Sequence, residues 1–539
     1  MMAFRLGEWV TLLPDEEPPS VERKPPGPED NFKTALRWAR LGLHGRALAA
    51  LGPTPLAQPT AATVEAVQRA MAAHRVRVAA PQGVPHPRRR DVPVEAPALV
   101  AKVKGLKNGI SPGILGWRNE FVKLFLKNPY HIEALRSLVH AVAETRAPPG
   151  LVESMTWTKV TPAQKPGSTE AQPKVRPLES ADTIRKLATG LVIQAEREFI
   201  DAAFAEHQFA VGTAGGPEAL SKVAQFASDC WGFAVIRLDG TSAFNAQSRA
   251  AGLTRLAEVA PALANLLASF YARPSERWVQ EGAGWTQLWT SDGWAQGDPG
   301  APIAYAAGVD GPARAAQARL RMRAEERYGP AIASRIRVLS YLDDFVILVP
   351  PEMAEVAISD TTEALRPTGY IPSWPKLLVW HPGGPPQGAP EWLARAWTTA
   401  GMVLLGVPQM TMGAAGFVAP PPVWSGSQAF QEQALQDATR GCIRALDSLS
   451  EFVAWDSARS PRLQVAWQVA RLCVHSRMIY LLRSAHTENM VGHAAAVDVA
   501  IRARLLGWLG VVGDPAQFVT FLFHLPLRLG GRVSRGSPS

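Results

Sequence analysis

Tyr341-Leu342-Asp343-Asp344 is the stretch on which the fold of this chain turns. It stands between two apolar runs rich in β-formers, Ile336-Arg337-Val338-Leu339-Ser340 and Phe345-Val346-Ile347-Leu348-Val349. Two short strands joined by a tight turn follow from that pattern. The turn then holds two adjacent carboxylates at the tip of a buried hairpin. Burying a pair of acids costs free energy unless a cation offsets them. A hard divalent ion such as Mg²⁺, held by one or two carboxylates plus substrate phosphates, suits such a pair. A solvated turn is the plain alternative, and the rest of the chain has to decide between them.

Upstream, Phe233-Ala234-Val235-Ile236-Arg237-Leu238 predicts another buried strand, ending in Asp239. Gly240-Thr241-Ser242-Ala243-Phe244-Asn245 leads from it toward a helix that starts near Ser248. Ligands gather at the carboxyl ends of strands, whereas an Asp-Gly turn is the ordinary alternative. Between the acids the pattern predicts a Trp-rich hairpin over 277–289. Gly293-Trp294-Ala295-Gln296-Gly297-Asp298-Pro299 follows, then a helix of small residues from Ala301. Beyond the hairpin come a helix over 353–365, a strand over 377–380 after Lys376, and a strand over 402–405 closed by Gly406-Val407-Pro408. This order predicts an α+β unit, an antiparallel sheet backed by helices. Such a sheet brings Asp239 beside Asp343 and Asp344. Three acids from neighbouring strands can hold the two divalent ions that in-line phosphoryl transfer uses.

The N-terminal half supplies cations. Lys102, Lys104 and Lys107 precede a Gly/Pro-punctuated loop, Asn108-Gly109-Ile110-Ser111-Pro112-Gly113-Ile114-Leu115-Gly116-Trp117, that runs into a helix. Over 159–176 basic residues alternate with turn formers, Lys165-Pro166-Gly167 and then Lys174-Val175-Arg176-Pro177. Extended arms carrying Lys and Arg suit a triphosphate or a template backbone, and also an exposed charged hairpin. An amphipathic helix is predicted over 182–199. Another follows Gly212-Thr213-Ala214-Gly215-Gly216-Pro217, with Leu220, Val223, Phe226 and Ala227 on one face. Glycines before a helix can bind phosphate, but no Gly-Lys-Ser/Thr is present, and this is a structural turn. Further upstream, helical spacing covers 31–51 and 63–74. Residues 1–30 and 80–98 are rich in proline and charge; Pro87-Arg88-Arg89-Arg90 reads as a solvated linker or a patch for nuclear import or phosphate.

Bulk composition narrows the class. The chain has 539 residues, 47% of them hydrophobic, so it can hold several compact units. With 56 Lys+Arg against 47 Asp+Glu the net charge is +9, which favours a polyanionic partner. Cys230, Cys442 and Cys473 are widely spaced, which argues against a disulfide framework and for a reduced, intracellular protein. No secretory signal is recognisable, and no run of about 18 uncharged apolar residues predicts a membrane span. His486-Thr487-Glu488 lacks the paired cysteines of a zinc deaminase site. The 17 tryptophans are read as core and hairpin packing rather than as stacking platforms.

Taken together, these blocks resemble a reverse transcriptase, most closely one of the non-LTR, LINE-like retrotransposon family. Arg176-Pro177-Leu178 with Ile184-Arg185-Lys186-Leu187 resembles that family's fingers signature, and Asp239 with Ala243-Phe244-Asn245 its first catalytic motif. Gln296-Gly297-Asp298-Pro299 resembles the substrate-facing motif and Tyr341-Leu342-Asp343-Asp344 the second catalytic motif. Lys376, then Leu405-Gly406-Val407-Pro408, resemble the lysine block and the primer-side turn. Ser111-Pro112-Gly113 with Gly116-Trp117 resembles a segment that precedes the fingers, and Leu525-Pro526-Leu527-Arg528-Leu529-Gly530-Gly531 a short tail. The helices expected over 438–509, with Leu463, Ala466, Ala470 and Cys473 on one face, fit the thumb.

The resemblance implies a right-hand polymerase: a helical N-terminal extension (1–98), fingers (99–232), a palm (233–411), a helical thumb (412–512) and a C-terminal tail (513–539). It implies that Asp239, Asp343 and Asp344 bind two Mg²⁺ ions, with Mn²⁺ as substitute. Lys165 and Arg176 would contact the incoming triphosphate, Phe244 would gate against a ribose 2′-hydroxyl, and Gln296 and Gly297 would face the nucleotide. Lys376 would act as general acid for pyrophosphate. The implied activity is RNA-directed DNA synthesis: a DNA or RNA primer extended with dNTPs on an RNA template, in the nucleus of a eukaryote or otherwise in the cytoplasm. Gly300 stands where the family has leucine, Trp294 where it has a smaller residue, and Leu115 where it has an acid. Neither endonuclease domain of the family nor a Cys/His finger is recognisable. The expectation is therefore a fragment, a domesticated gene or a chain dependent on a separate endonuclease. A viral-type RNA-dependent RNA polymerase usually carries a second acid where Phe244 stands. A decayed element that only binds nucleic acid is the non-enzymatic alternative.

Overall fold

The computed structural model describes residues 28–52, 56–85, 91–165, 167–410, 421–455, 459–485 and 487–510. The expected lead-in before residue 28, the arginine tract at 88–90, His486 and the tail motif at 525–531 lie outside the described residues. The chain is α+β with mixed sheets. Its strands are β1 (Thr158–Gln164), β2 (Val175–Ser180), β3 (Ala234–Leu238), β4 (Ser275–Glu281), β5 (Gly284–Thr290), β6 (Arg337–Tyr341), β7 (Asp344–Val349), β8 (Leu378–Trp380), β9 (Trp397–Thr398), β10 (Met402–Leu404) and β11 (Val407–Gln409).

The sheet that carries the acids has the order β6-β7-β3-β8-β9. Every residue of β7 after Asp344 is buried. Because successive side chains point to opposite faces, that pattern requires cover on both faces. Helices Gly216–Trp231, Ala301–Tyr328 and Ala354–Leu365 pack against its strands. β3 lies antiparallel to both neighbours, with Ile236 opposite Ile347 on one side and Val379 on the other. The expected antiparallel sheet holds for these four strands; the edge pair β8–β9 is parallel.

The Trp-rich hairpin forms as expected but does not join this sheet. β4 and β5 extend a second sheet, β2-β1-β4-β5, through a parallel β1–β4 pairing. The reason is a separate apolar core: Val160, Val175, Val279 and Leu288 meet Val64, Val67 and Met71 of the helix Ala61–Met71. Among the described residues, β10 and β11 pair only with each other.

Two expected helices are broken, each for a local reason. The one over 31–51 becomes Pro28–Arg40 and His44–Leu51, interrupted at Gly42 with φ +74°. The one over 182–199 becomes Thr183–Ala195, capped by the Asp182 carboxylate on the Ile184 N–H (2.8 Å), and Arg197–Phe204. Glu196 sits at the break, and its carboxylate accepts the N–H groups of Ala262 and Leu263 (2.9 and 2.8 Å) at the start of the helix Pro261–Tyr271. Phe226 was expected on the buried face of its helix and instead points to solvent; Leu220 and Ala227 carry that face.

Helices Pro421–Ala454, Arg459–Val469, His475–Ser484 and Thr487–Leu509 form a C-terminal bundle, which meets the expectation of several helices there. Leu446, Phe452, Val469 and Met490 share its core with Ala35, Ala39, Ala47 and Leu48 from the N-terminal helices. The first two described helices thus pack against this bundle. Among the described residues, no helix is long and apolar enough to cross a membrane.

Candidate active site

The Asp343-Asp344 hairpin turns in two residues, with Tyr341 directly opposite Asp344. Leu342 takes φ +56°, a left-handed conformation that costs an L-residue about 1–2 kcal/mol. Such strain persists only where neighbours over-determine it. Here Gln208 does so: its side-chain oxygen accepts the Leu342 and Ala210 N–H groups (2.9 and 3.0 Å), and its amide donates to Ser340 Oγ (3.1 Å). The flanking backbone adds Ser340 N–H to His207 O and Phe209 N–H to Ser340 O, both 2.8 Å.

Asp239 follows directly on Leu238, which is paired with Phe345. Antiparallel register therefore sets Asp239 beside Asp344, across a gap of more than a hundred residues in sequence. The carboxyls of Asp344 and Asp239 are close enough to act on one another electrostatically. Burial, with the charges of Asp343 and Asp239 behind it, pushes the Asp344 carboxyl from 3.8 up to about 7; Arg237 opposes this. Burial raises Asp343 too, and Lys376 pulls it back.

A strap made by residues 370–376 closes over the acid loop. Thr241 N–H donates to Ile371 O and Ser373 N–H to Asp239 O, both 2.8 Å. Tyr370 Oη donates to Leu238 O (3.2 Å) and reaches Asp343 O (3.5 Å), tying the strand end to the turn. The strap delivers Lys376, whose Nζ lies 2.5 Å from Asp239 Oδ2. The lysine is largely exposed, and an ion pair of that kind contributes little stability. Its ammonium can therefore swing aside at small cost.

The remaining expected residues approach from the second sheet and from the loop before the helix Ala301–Tyr328. Arg176 is exposed on β2 opposite Ala163, and Lys165 follows the end of β1. Burial and the nearby Arg176 and Lys376 lower the Lys165 ammonium, while Asp239 raises it, so these cations share one electrostatic neighbourhood. Gln296 is exposed. Gly297 backs onto β2 so closely that a Cβ would come within 2.5 Å of Glu179 O. Asp298 is fully buried and accepts from Arg185 Nε (3.0 Å) and Tyr271 Oη (3.1 Å). The segments Ile184-Arg185-Lys186-Leu187 and Gln296-Gly297-Asp298-Pro299 are thereby one buried unit.

Phe244 is half-buried beyond Asp239 and stacks on Tyr305, with centroids 4.6 Å apart and planes within 10°. Trp294, Gly300 and Leu115 are each accommodated by their surroundings. Trp294 is buried rather than facing a nucleotide; it packs edge-on against Tyr271, and its Nε1 donates to Gln247 Oε1. Gly300 has no room for a side chain, since a Cβ would lie 2.8 Å from Leu267 and 3.1 Å from Thr189. Leu115 packs partly buried against the main core.

Sequence reasoning did not single out Gln208, Tyr370, Tyr305 or the Arg185–Asp298 pair as parts of the site. Only Arg237, a charged residue inside an otherwise apolar strand, carried a signal of its own. Among the described residues, no three acid, imidazole or thiol groups stand as a ready-made chelate; Asp239 is engaged by Lys376 and Asp344. The donor set still fits a hard divalent cation. It consists of carboxylate oxygens whose burial and mutual proximity together raise one pKa to about 7, a state that a cation relieves. No protein-family model and no curated protein matches the chain.

Proposed function

We propose that this chain is a nucleotidyltransferase of the reverse-transcriptase kind, extending a primer with dNTPs on an RNA template. The observation that carries the proposal is the meeting of Asp239 with Asp343 and Asp344 at one end of one sheet, with Lys376 brought beside them by the strap. In this reading the architecture is a right hand, with fingers around the β1–β2 arm, a palm built on the acid-bearing sheet, and the C-terminal helices as thumb.

Asp239, Asp343 and Asp344 would hold two Mg²⁺ ions, which when bound supply charge neutralisation for the primer hydroxyl and the leaving pyrophosphate. Lys165 and Arg176, one at the end of each arm, would bind the triphosphate, with guanidinium and ammonium complementing its charge. Gln296 is free to contact the nucleotide, and Gly297 keeps the backbone close. Lys376, released from Asp239, would stand near the leaving phosphate as a proton donor. A cavity of about 790 Å³ beside Pro299 and Pro302 carries Lys102, Lys186 and Arg197 together with Asp201 and several apolar side chains, and in this reading its cations would face a polyanionic strand. The +9 net charge agrees with such a partner.

Primer extension on a primed RNA tests the proposal. Wild-type protein should incorporate dNTPs in Mg²⁺ and prefer them to rNTPs, and Asp343→Ala should not extend. Equal extension by the two chains, or none by either, refutes it.

A further inference from the structure

Phe244 is gripped from two sides. Its carbonyl accepts the Trp294 N–H (2.9 Å), and its ring lies flat on that of Tyr305. Those two residues are themselves joined through Gln247. The Gln247 amide nitrogen donates to Tyr305 O (2.9 Å), and its oxygen accepts from Trp294 Nε1. Gly308, one turn on from Tyr305, leaves the space that Gln247 occupies: a Cβ there would fall 2.7 Å from its Nε2. Tyr305 is 1% exposed, and its hydroxyl is buried with no hydrogen-bond partner. The contact that Tyr305 makes with Phe244 is made by its ring.

Flat stacking constrains an aromatic ring differently from aliphatic packing. A near-parallel neighbour fixes both the tilt and the height of the ring, whereas a branched aliphatic surface permits a range of tilts. From this geometry we infer that Tyr305 is a positioning residue for Phe244 and sets how strictly the site refuses a ribose 2′-hydroxyl. The inference rests on the polymerase reading and extends it to a residue that touches neither template nor triphosphate. Burial, reinforced by Asp343, Tyr370, Asp344 and Asp239, holds the Tyr305 hydroxyl well above the usual phenol range, which agrees with a phenol lodged on the acid side of the stack.

Single-nucleotide primer extension with dNTP and rNTP, read as the ratio of kcat/KM values, tests this on the full chain. Tyr305→Phe keeps the stack and should hold the ratio within about twofold, whereas Tyr305→Leu should lower it about tenfold, because a displacement of an ångström or less suffices to misplace a reacting group. The loss should come from rNTP use rising, not from dNTP turnover falling. Phe244→Ala combined with Tyr305→Leu should match Phe244→Ala alone, since one ring acts through the other. Tyr305→Met, which keeps volume without a plane, carries the same expectation if the leucine variant does not fold. Equal losses with both nucleotides, or additive penalties in the double variant, overturn the role of Tyr305. An unchanged ratio in Phe244→Ala removes the gate itself while leaving the polymerase in place. A wild-type chain that extends with neither nucleotide removes the polymerase reading and this inference with it.

Discussion

Binding of Mg²⁺ to this chain should expel a proton, and the number expelled can be worked out from Asp344. The carboxyl faces Asp343 and Asp239, with Arg237 on the same strand as the approach to Asp239, and Lys376 reaches the group through Asp239. Its pKa of about 7 against an ordinary 3.8 means that the folded chain holds a proton over that range which the unfolded chain has released. Stability from this group is therefore fully present below pH 4 and lost as pH rises through 7. At about 1.4 kcal/mol per tenfold, the limit of that loss is about 4 kcal/mol, less in proportion as the charge is shared among three acids. A cation needs the ionised form, so binding should release a substantial fraction of a proton near pH 7, more at lower pH and progressively less above it. The apparent affinity should weaken toward tenfold per pH unit below 7. Calorimetric titration of Mg²⁺ at pH 7 in two buffers of different ionisation enthalpy reads the proton count directly. Without Mg²⁺, the wild-type melting midpoint should fall between pH 5.5 and 8, while that of Asp344→Asn stays flat. Binding heats that do not depend on the buffer at pH 7, together with parallel melting curves for the two chains, would refute the reasoning.

Further outcomes follow from the packing around the site. Asp298→Ala leaves the Arg185 guanidinium buried without its carboxylate and should destabilise the chain by about 3–5 kcal/mol in a denaturant titration; a change under 1 kcal/mol would mean the pair is not sealed from water. Gln208→Ala removes two hydrogen bonds to the strained hairpin and one to Ala210 and should cost about 1–3 kcal/mol. Amide hydrogen exchange at Leu342 should accelerate in that variant, and an unchanged rate would count against the clamp. Gly300→Leu forces a side chain against Leu267 and Thr189 and should destabilise by about 1–3 kcal/mol. A neutral melt for that variant would indicate that the neighbouring helix yields.

How much of this was legible in the chain differs between its parts. The strands around Asp239 and Asp343-Asp344 were readable because a segment buried on both faces has to be apolar throughout, and that pattern is local. The acids stood out against it for the same reason. The split at Glu196 was not readable, since its cause is two N–H groups more than sixty residues away. Phe226 broke its helical stripe because an amphipathic pattern says which residues can be buried, not how far the neighbouring element extends over them. The partner of the Trp-rich hairpin was also hidden: alternation gives a strand two faces, but only the helix Ala61–Met71 decides which sheet covers one of them.

By itself the amino-acid sequence determined the α+β composition, the positions of three acids and the supply of lysines and arginines. Those are properties of residue type and short-range period, and both survive in a one-dimensional string. Tertiary structure alone decided that Asp239 lies beside Asp344, that Lys376 is delivered by a strap from Tyr370, and that Phe244 rests on Tyr305. Each of these depends on strand register or helix approach across tens to hundreds of residues, and the energy of such contacts comes from burial, which only the folded chain defines.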